Sequence, residues 1–465
     1  MKKDESKLVY SQTMAVCPTC LRKVRARIIE VAGKVFLEKF CPEHGLSQAL
    51  ISSDSDWYRA SMAYIKPSQN PKEKNVAEFV GCPESCGYCP QHRQHVCLPV
   101  IEITDSCDLS CPVCLKRFDR PFSLSVDQFA GIIDNLLHTE GRMDVVNISG
   151  GEPLLHPDLE KMIRVAKEKG VVQLSVSTNG LAFLDNPALR QMFRETRTIA
   201  ALQFDGFKPE TWKFIRGADL AADKLRLIEL LEAEGVTYSL VATILKGVND
   251  DEIPRISDFF FASQAVSLMF QPVTFSGSAA NLDTELHRLT IPDIVHAIEG
   301  SKYAGKGDFN PLPCSHYSCF ALSYYLKVSA GEYYSLKNFL GRDDYLAMIA
   351  NKTLPGLDSE GYDMMKSRLY ELWSAADSGT TSARLLDRVK AILKKLNEDP
   401  SPDARISAGI DNMKAIFIHQ FMDAHTLDFG RLIKCCNPYP MPGDRLIPIC
   451  AQNVFGSHQA SGKNP

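Results

Sequence analysis

From about residue 98 to 300 the chain alternates short, β-branched apolar runs with longer stretches whose apolar residues recur at helical spacing. The runs at 98–104, 144–149, 171–177, 198–204, 236–244 and 265–271 predict strands. Between them, the stretches at about 125–139, 157–169, 187–195, 220–234 and 252–263 predict helices. Six strands in strict alternation with helices imply parallel βαβ units, closed or nearly closed into a partial (β/α)6 barrel. In such barrels the C-terminal ends of the strands carry the chemistry. Beyond residue 300 the pattern turns mostly helical. There Leu385, Leu386, Val389, Ile392, Leu393 and Leu396 form one apolar stripe, which predicts a core-facing helix.

Ahead of the barrel the chain divides into smaller units. Residues 10–66 make a cysteine-bearing module, Lys66–Asn75 is a Pro/Lys/Asn-rich linker, and residues 76–97 are a second cysteine-rich segment. The expected architecture is therefore α/β. A small N-terminal metal module (10–66) and the segment 76–97 precede the barrel (98–300), and a mostly helical C-terminal domain (301–465) follows it.

Composition narrows the function classes. A chain of 465 residues exceeds one ordinary core, and 45% apolar with 23% charged residues is typical of a soluble globular protein. A formal net charge of −4 gives no electrostatic reason to expect nucleic acid as a partner. No apolar stretch approaches the roughly 20 residues of a membrane span. Met1–Lys7 lacks the apolar core of a signal peptide, so a cytoplasmic location is expected. In a reducing compartment, 15 cysteines argue for metal ligation rather than disulfides.

The potential ligands fall into four groups. Cys17, Cys20, Cys41 and His44 read C-x2-C-x20-C-x2-H, two knuckles suited to a closed tetrahedral site for zinc or a single iron. Cys82, Cys86 and Cys89 stand in C-x3-C-x2-C, with Cys97 available as a fourth thiolate for an auxiliary [4Fe–4S] cluster or a zinc knuckle. Cys107, Cys111 and Cys114 repeat that spacing at the C-terminal end of the first strand, with no fourth cysteine nearby. Three thiolates on one loop hold three irons of a [4Fe–4S] cube and leave the fourth iron open for a small molecule. Cys314, Cys319, Cys435 or Cys436, and Cys450 make a fourth group, a second auxiliary cluster or separate buried thiols.

Turns at the same strand ends extend the third group. Gly150 and Gly151 let backbone approach a ligand closely, and Glu152 can accept from an ammonium group. Ser177, Thr178 and Asn179 lie in a small polar turn suited to a ribose or carboxylate. Asp205 and Arg216 are further candidates, as is Thr243–Asn249 at the end of the fifth strand. His138, His156, His287, His296 and His316 have no partner legible in the sequence and are expected to be structural.

The Cys107/Cys111/Cys114 triplet, the Gly150-Gly-Glu-Pro153 turn and the Ser177-Thr-Asn-Gly180 turn resemble the radical S-adenosylmethionine superfamily. That resemblance implies an open iron that binds S-adenosylmethionine, which is cleaved reductively to a 5′-deoxyadenosyl radical. Gly150, Gly151 and Glu152 would contact the methionyl end, and Ser177, Thr178 and Asn179 would lie near the ribose. Outside the barrel, the Cys17–Cys20 and Cys41–His44 head is similar to the archaeal tetraether lipid synthase family. So are Gly81–Pro90, Asp308–Cys314 and Arg445–Cys450. Some relatives in that family are described as dihydropterin methyltransferases. The resemblance implies one radical and two auxiliary [4Fe–4S] clusters, one mononuclear zinc or iron, and a ferredoxin or flavodoxin as electron donor. The implied reaction joins lipid alkyl chains by a C–C bond, with peripheral contact at the membrane. The alternatives are a radical methyltransferase acting on a pterin-like ring and a non-catalytic multi-cluster electron-transfer protein.

Overall fold

A computed structural model describes residues 7–74, 89–116, 121–352, 383–443 and 445–456, together with 363, 366, 367, 370 and 371. Four strands, β1 (Leu8–Val16), β2 (Lys23–Val31), β3 (Lys34–Cys41) and β4 (Gly45–Ser52), form an antiparallel sheet in chain order. In β2, Val24, Ala26 and Ile28 are buried while Lys23, Arg25 and Arg27 are exposed, the period-two pattern of a sheet with one wet face. Because β2 lies beside β3, the β1–β2 and β3–β4 turns emerge at the same end. Cys17 and Cys20 ride on one turn, and Cys41 and His44 on the other.

The barrel strands are β5 (Val100–Glu102), β6 (Val145–Ser149), β7 (Gln173–Thr178), β8 (Ile199–Gln203), β9 (Tyr238–Ile244) and β10 (Ser267–Pro272). Neighbours in sequence are parallel neighbours in space. The helices Val126–Glu140, Leu159–Glu168, Pro187–Thr196, Ala221–Ala233 and Ile253–Ala262 connect them, close to where periodicity places them. Local chemistry sets their ends. Ser125 and Gln128 form a reciprocal capping box at Val126, and Gly141 stops that helix in the left-handed region. Leu202, Leu240 and Leu268 sit in register across β8–β10 and are fully buried. Each such burial contributes about 1.5–3 kcal/mol. The opposite, concave face carries Gln203, Val241 and Met269, which remain half-buried.

The region after residue 300 is helical in part, and the helix Ala383–Glu398 turns its stripe inward as expected. Leu385, Leu386 and Val389 are buried, with Ile392 and Leu393 packed beside them. It also supplies strands: β11 (Asn310–Pro311), β12 (Phe320–Ser329), β13 (Glu332–Ser335), β14 (Met413–His419), β15 (Pro438–Met441) and β16 (Arg445–Pro448). β14 joins the barrel sheet parallel to β10, and β12 pairs antiparallel to β14. The hairpin β15–β16 packs against β5. The sheet is thus open, ten-stranded, and continuous past residue 300.

Candidate active site

Cys107, Cys111 and Cys114 stand on the loop that leaves β5, the first exposed and the others half-buried. The Cys114 amide donates to the Cys111 carbonyl at 3.1 Å, closing a tight turn. The turn after β6 is laid directly on this loop. The Gly151 amide donates to the Thr104 carbonyl and the Glu152 amide to the Ser106 carbonyl, both at 2.7 Å. A Cβ on Gly151 would lie 2.3 Å from the Ser106 carbonyl oxygen, so only glycine fits the approach. Gly277, after β10, holds the far end of the loop. Ser278 N donates to the Cys114 carbonyl at 2.8 Å, and a Gly277 Cβ would meet that oxygen at 2.5 Å. Sequence reasoning missed Gly277, which lies in an unremarkable Ser-Gly-Ser turn.

Glu152 is 1% exposed, and its carboxylate is already engaged by the protein. It accepts from Leu154 N at 3.0 Å, Thr178 Oγ1 at 2.6 Å and Asn179 N at 2.7 Å. A carboxylate offers about four acceptor sites, so these three bonds leave room for a further donor. The carboxylate also ties the β6 turn to the end of β7, and burial raises its pKa. Asn179 Nδ2 donates to Asp108 Oδ1 at 2.5 Å, one residue beyond Cys107. The Ser177 hydroxyl donates to Asn147 Oδ1 at 3.2 Å on the concave face. Gly150, Gly151, Ser177, Thr178 and Asn179 are thereby gathered along one rim with the cysteine loop.

Asp205 and Arg216 pair with each other. Arg216 Nε donates to Asp205 Oδ2 at 2.6 Å and a second guanidinium nitrogen to Oδ1 at 3.0 Å, with Asp205 0% and Arg216 7% exposed. The pair is buried and bidentate. The guanidinium also reaches Thr243 Oγ1 at 3.1 Å and the Cys111 thiol. Burial raises the Cys111 pKa while Arg216 opposes the rise; burial pushes Cys107 up to about 11. Three thiols on one loop, with a guanidinium beside one and solvent beside another, fit three ligands of a [4Fe–4S] cluster.

Cys17, Cys20, Cys41 and His44 place their donor atoms within 4.8 Å of one another. The closest pairs are Cys41 Sγ to His44 Nδ1 at 3.5 Å, Cys17 Sγ to His44 Nδ1 at 3.6 Å and Cys20 Sγ to Cys41 Sγ at 3.9 Å. These are edges of a tetrahedron around a metal bound at about 2.0–2.3 Å.

The remaining cysteines regroup. Cys82 and Cys86 lie outside the described residues, whereas Cys89 is buried. The Cys97 thiol, expected to join Cys82, Cys86 and Cys89, meets Cys314 and Cys436. The cause is backbone pairing, since the Cys97 and Leu98 amides donate to the Cys436 carbonyl at 2.9 and 3.2 Å. Cys97 and Cys314, expected in different groups, thus lie together. Cys319, Cys435 and Cys450 line a separate cavity beneath β14, with Cys436 also in its wall. Arg431 donates to Cys319 Sγ at 3.4 Å and Met422 N to Cys450 Sγ at 3.2 Å. The adjacent cysteines therefore serve two neighbourhoods, which a choice of one or the other did not foresee. Lys116 connects the regions: it pairs with Glu102 at 2.9 Å and lies 3.6 Å over the Tyr439 ring of β15. Of the histidines expected to be structural, His156 bonds Ser123 and His296 bonds Asp54.

Residues 79–260 match the Radical SAM superfamily, and residues 9–53 match the HMPTM N-terminal zinc ribbon domain. The 7,8-dihydro-6-hydroxymethylpterin dimethyltransferase of Methanocaldococcus jannaschii is 27% identical, over 97% of this chain and 95% of its own length. The S-adenosylmethionine-dependent nucleotide dehydratase of Selenomonas ruminantium is 33% identical, over 33% of this chain and 57% of its own. Among solved structures, Streptococcus suis SuiB bound to precursor peptide SuiA has a TM-score of 0.39 at 14% identity, covering 45% of this chain and 46% of that one. The parallel sheet, the cysteine loop at its rim and the match of residues 79–260 to the Radical SAM superfamily define a metal-binding enzyme that uses S-adenosylmethionine. The chain is thus an enzyme of radical S-adenosylmethionine type, matched to that superfamily over residues 79–260 and to a zinc ribbon over residues 9–53. That sets aside the reading as a non-catalytic electron carrier. Among the described residues no helix is long and apolar enough to cross a membrane.

Proposed function

We propose that this enzyme forms a C–C bond at an unactivated carbon, joining lipid alkyl chains of the tetraether or membrane-spanning type. The observation that carries the radical chemistry is the thiol loop of Cys107, Cys111 and Cys114 clasped between Gly151 and Gly277 at one strand rim. When bound there, the cluster and S-adenosylmethionine supply a 5′-deoxyadenosyl radical, because aliphatic C–H bonds are inert to side-chain acids and bases. Gly150 and Gly151 give the methionyl end a close backbone approach, and Ser177, Thr178 and Asn179 present polar groups toward the ribose. Asp205 and Arg216 hold the Cys111 side of the loop in place. The remaining cysteines would hold two auxiliary [4Fe–4S] clusters, which would supply an acceptor for the electron released as two chains couple. A ferredoxin or flavodoxin supplies the reducing electron, and the lipid is met by peripheral contact at the membrane. The similarity of Asp308–Cys314 and Arg445–Cys450 to the tetraether lipid synthase family supports the lipid assignment.

A second reading, methyl transfer to a pterin-like ring, is favoured by the activity for which the Methanocaldococcus jannaschii relative is named, which matches along 97% of this chain. Anaerobic reconstitution, reduction and product extraction with lipid or with dihydropterin separates the two. Coupled alkyl chains support the proposal, whereas a methylated pterin with no lipid product overturns it. Replacing Cys107, Cys111 and Cys114 by Ala abolishes 5′-deoxyadenosine formation under either reading.

A further inference from the structure

His419 ends β14, directly opposite Phe320 of β12. Its ring stacks on Phe320 at 3.6 Å and lies 3.9 Å from Phe421, centroid to centroid. The residue is 6% exposed, and neither ring nitrogen hydrogen-bonds to any described residue. The imidazole lines the cavity that also carries Cys319, Cys435 and Cys450. A neutral imidazole presents one lone pair, a suitable donor for iron, and a buried one without a partner calls for an acceptor of that pair. The fourth thiol in the wall is committed elsewhere: Cys436 is met by Cys97, and its Sγ donates to Asn437 Oδ1 at 3.0 Å. The two aromatic rings clamp His419 in place, as a ligand needs to be.

We propose that His419 is the fourth protein ligand of an iron–sulfur cluster held by Cys319, Cys435 and Cys450. The bond is a nitrogen lone pair donated to iron, with no change of oxidation state. This inference rests on the auxiliary-cluster part of the proposed function.

The test uses the full chain with Cys107, Cys111 and Cys114 replaced by Ala, so that the radical site is silent. Zinc in the ribbon keeps His44 silent as well. The protein is reconstituted anaerobically with iron and sulfide, reduced, and examined by pulsed EPR with natural-abundance or 15N-labelled histidine. The expected result is a directly bound nitrogen coupling that changes with the label. His419→Cys should keep the iron content and lose that coupling. Clusters that form without any histidine coupling, or a coupling that survives His419→Cys, overturn the inference alone. Absence of any iron–sulfur cluster in this protein overturns the auxiliary-cluster reading and the inference with it. Formation of 5′-deoxyadenosine by the unaltered chain reports on the radical site independently of all three outcomes.

Discussion

Single side chains here often hold the site rather than face the ligand. Glu152 accepts three hydrogen bonds from a position 1% exposed. Glu152→Gln sets an amide group against a donor, and a loss of about 1–3 kcal/mol is expected in urea unfolding. The Asp205–Arg216 pair is more sensitive still. Arg216→Met leaves a buried carboxylate unpaired, at an expected cost of about 3–5 kcal/mol by the same measurement. Lys224 adds a pH signature. Burial, with repulsion from Arg216, holds its pKa down from 10.5 to about 8. In the unfolded chain the amine keeps its proton to about 10.5, so between these values the unfolded state binds the extra proton. Stability contributed by this residue therefore rises with pH across that window. Lys224→Met should remove the rise, as read from urea midpoints measured across the same range. Glu152, Asp205 and Arg216 were legible in the sequence as candidates, but their partners were not, and Lys224 was not singled out. The Thr178 and Asn179 groups that bond Glu152 lie a strand away.

Elements were easier to read than contacts. The six barrel strands and five of their helices lie within a few residues of their expected positions, since alternation of apolar runs is a property of the sequence itself. β12 and β14 escaped. A seven-residue run such as Met413–His419 cannot be told from a piece of buried helix by period alone. Their discovery explains why Cys97, Cys314 and Cys436 meet, because strands added beyond β10 bring the C-terminal cysteines to the barrel rim. The fit between loop and turn is the sensitive feature at this scale. Gly151→Ala pushes the cysteine loop off the β6 turn, and a misplacement near 1 Å costs roughly 100-fold in rate. The expected outcome is a fall of that order in 5′-deoxyadenosine formation, with the zinc content of the ribbon unchanged.

At the scale of the whole molecule, the ribbon is fastened to the C-terminal segment rather than tethered loosely. Thr13 Oγ1 bonds Asp428 Oδ1 at 2.5 Å, Ala15 bridges to Asp428, and Lys39 donates to the Ala424 carbonyl at 3.0 Å. Structural metal sites contribute folding energy directly. Chelating the ribbon metal should therefore speed hydrogen exchange in β1–β4 and in residues 422–429, while β6–β9 keep their protection.

The pairing of β14 with β10 also sets a schedule for synthesis. A ribosome releases β10 with Leu268 and Phe270 already in place, yet the strand that covers its raw edge is translated only after residue 412. Nascent chains in that interval carry an unpaired, apolar template for aggregation. Slow elongation or premature termination between the two strands thus feeds inclusion bodies, and chaperone supply during expression governs the yield of the finished protein.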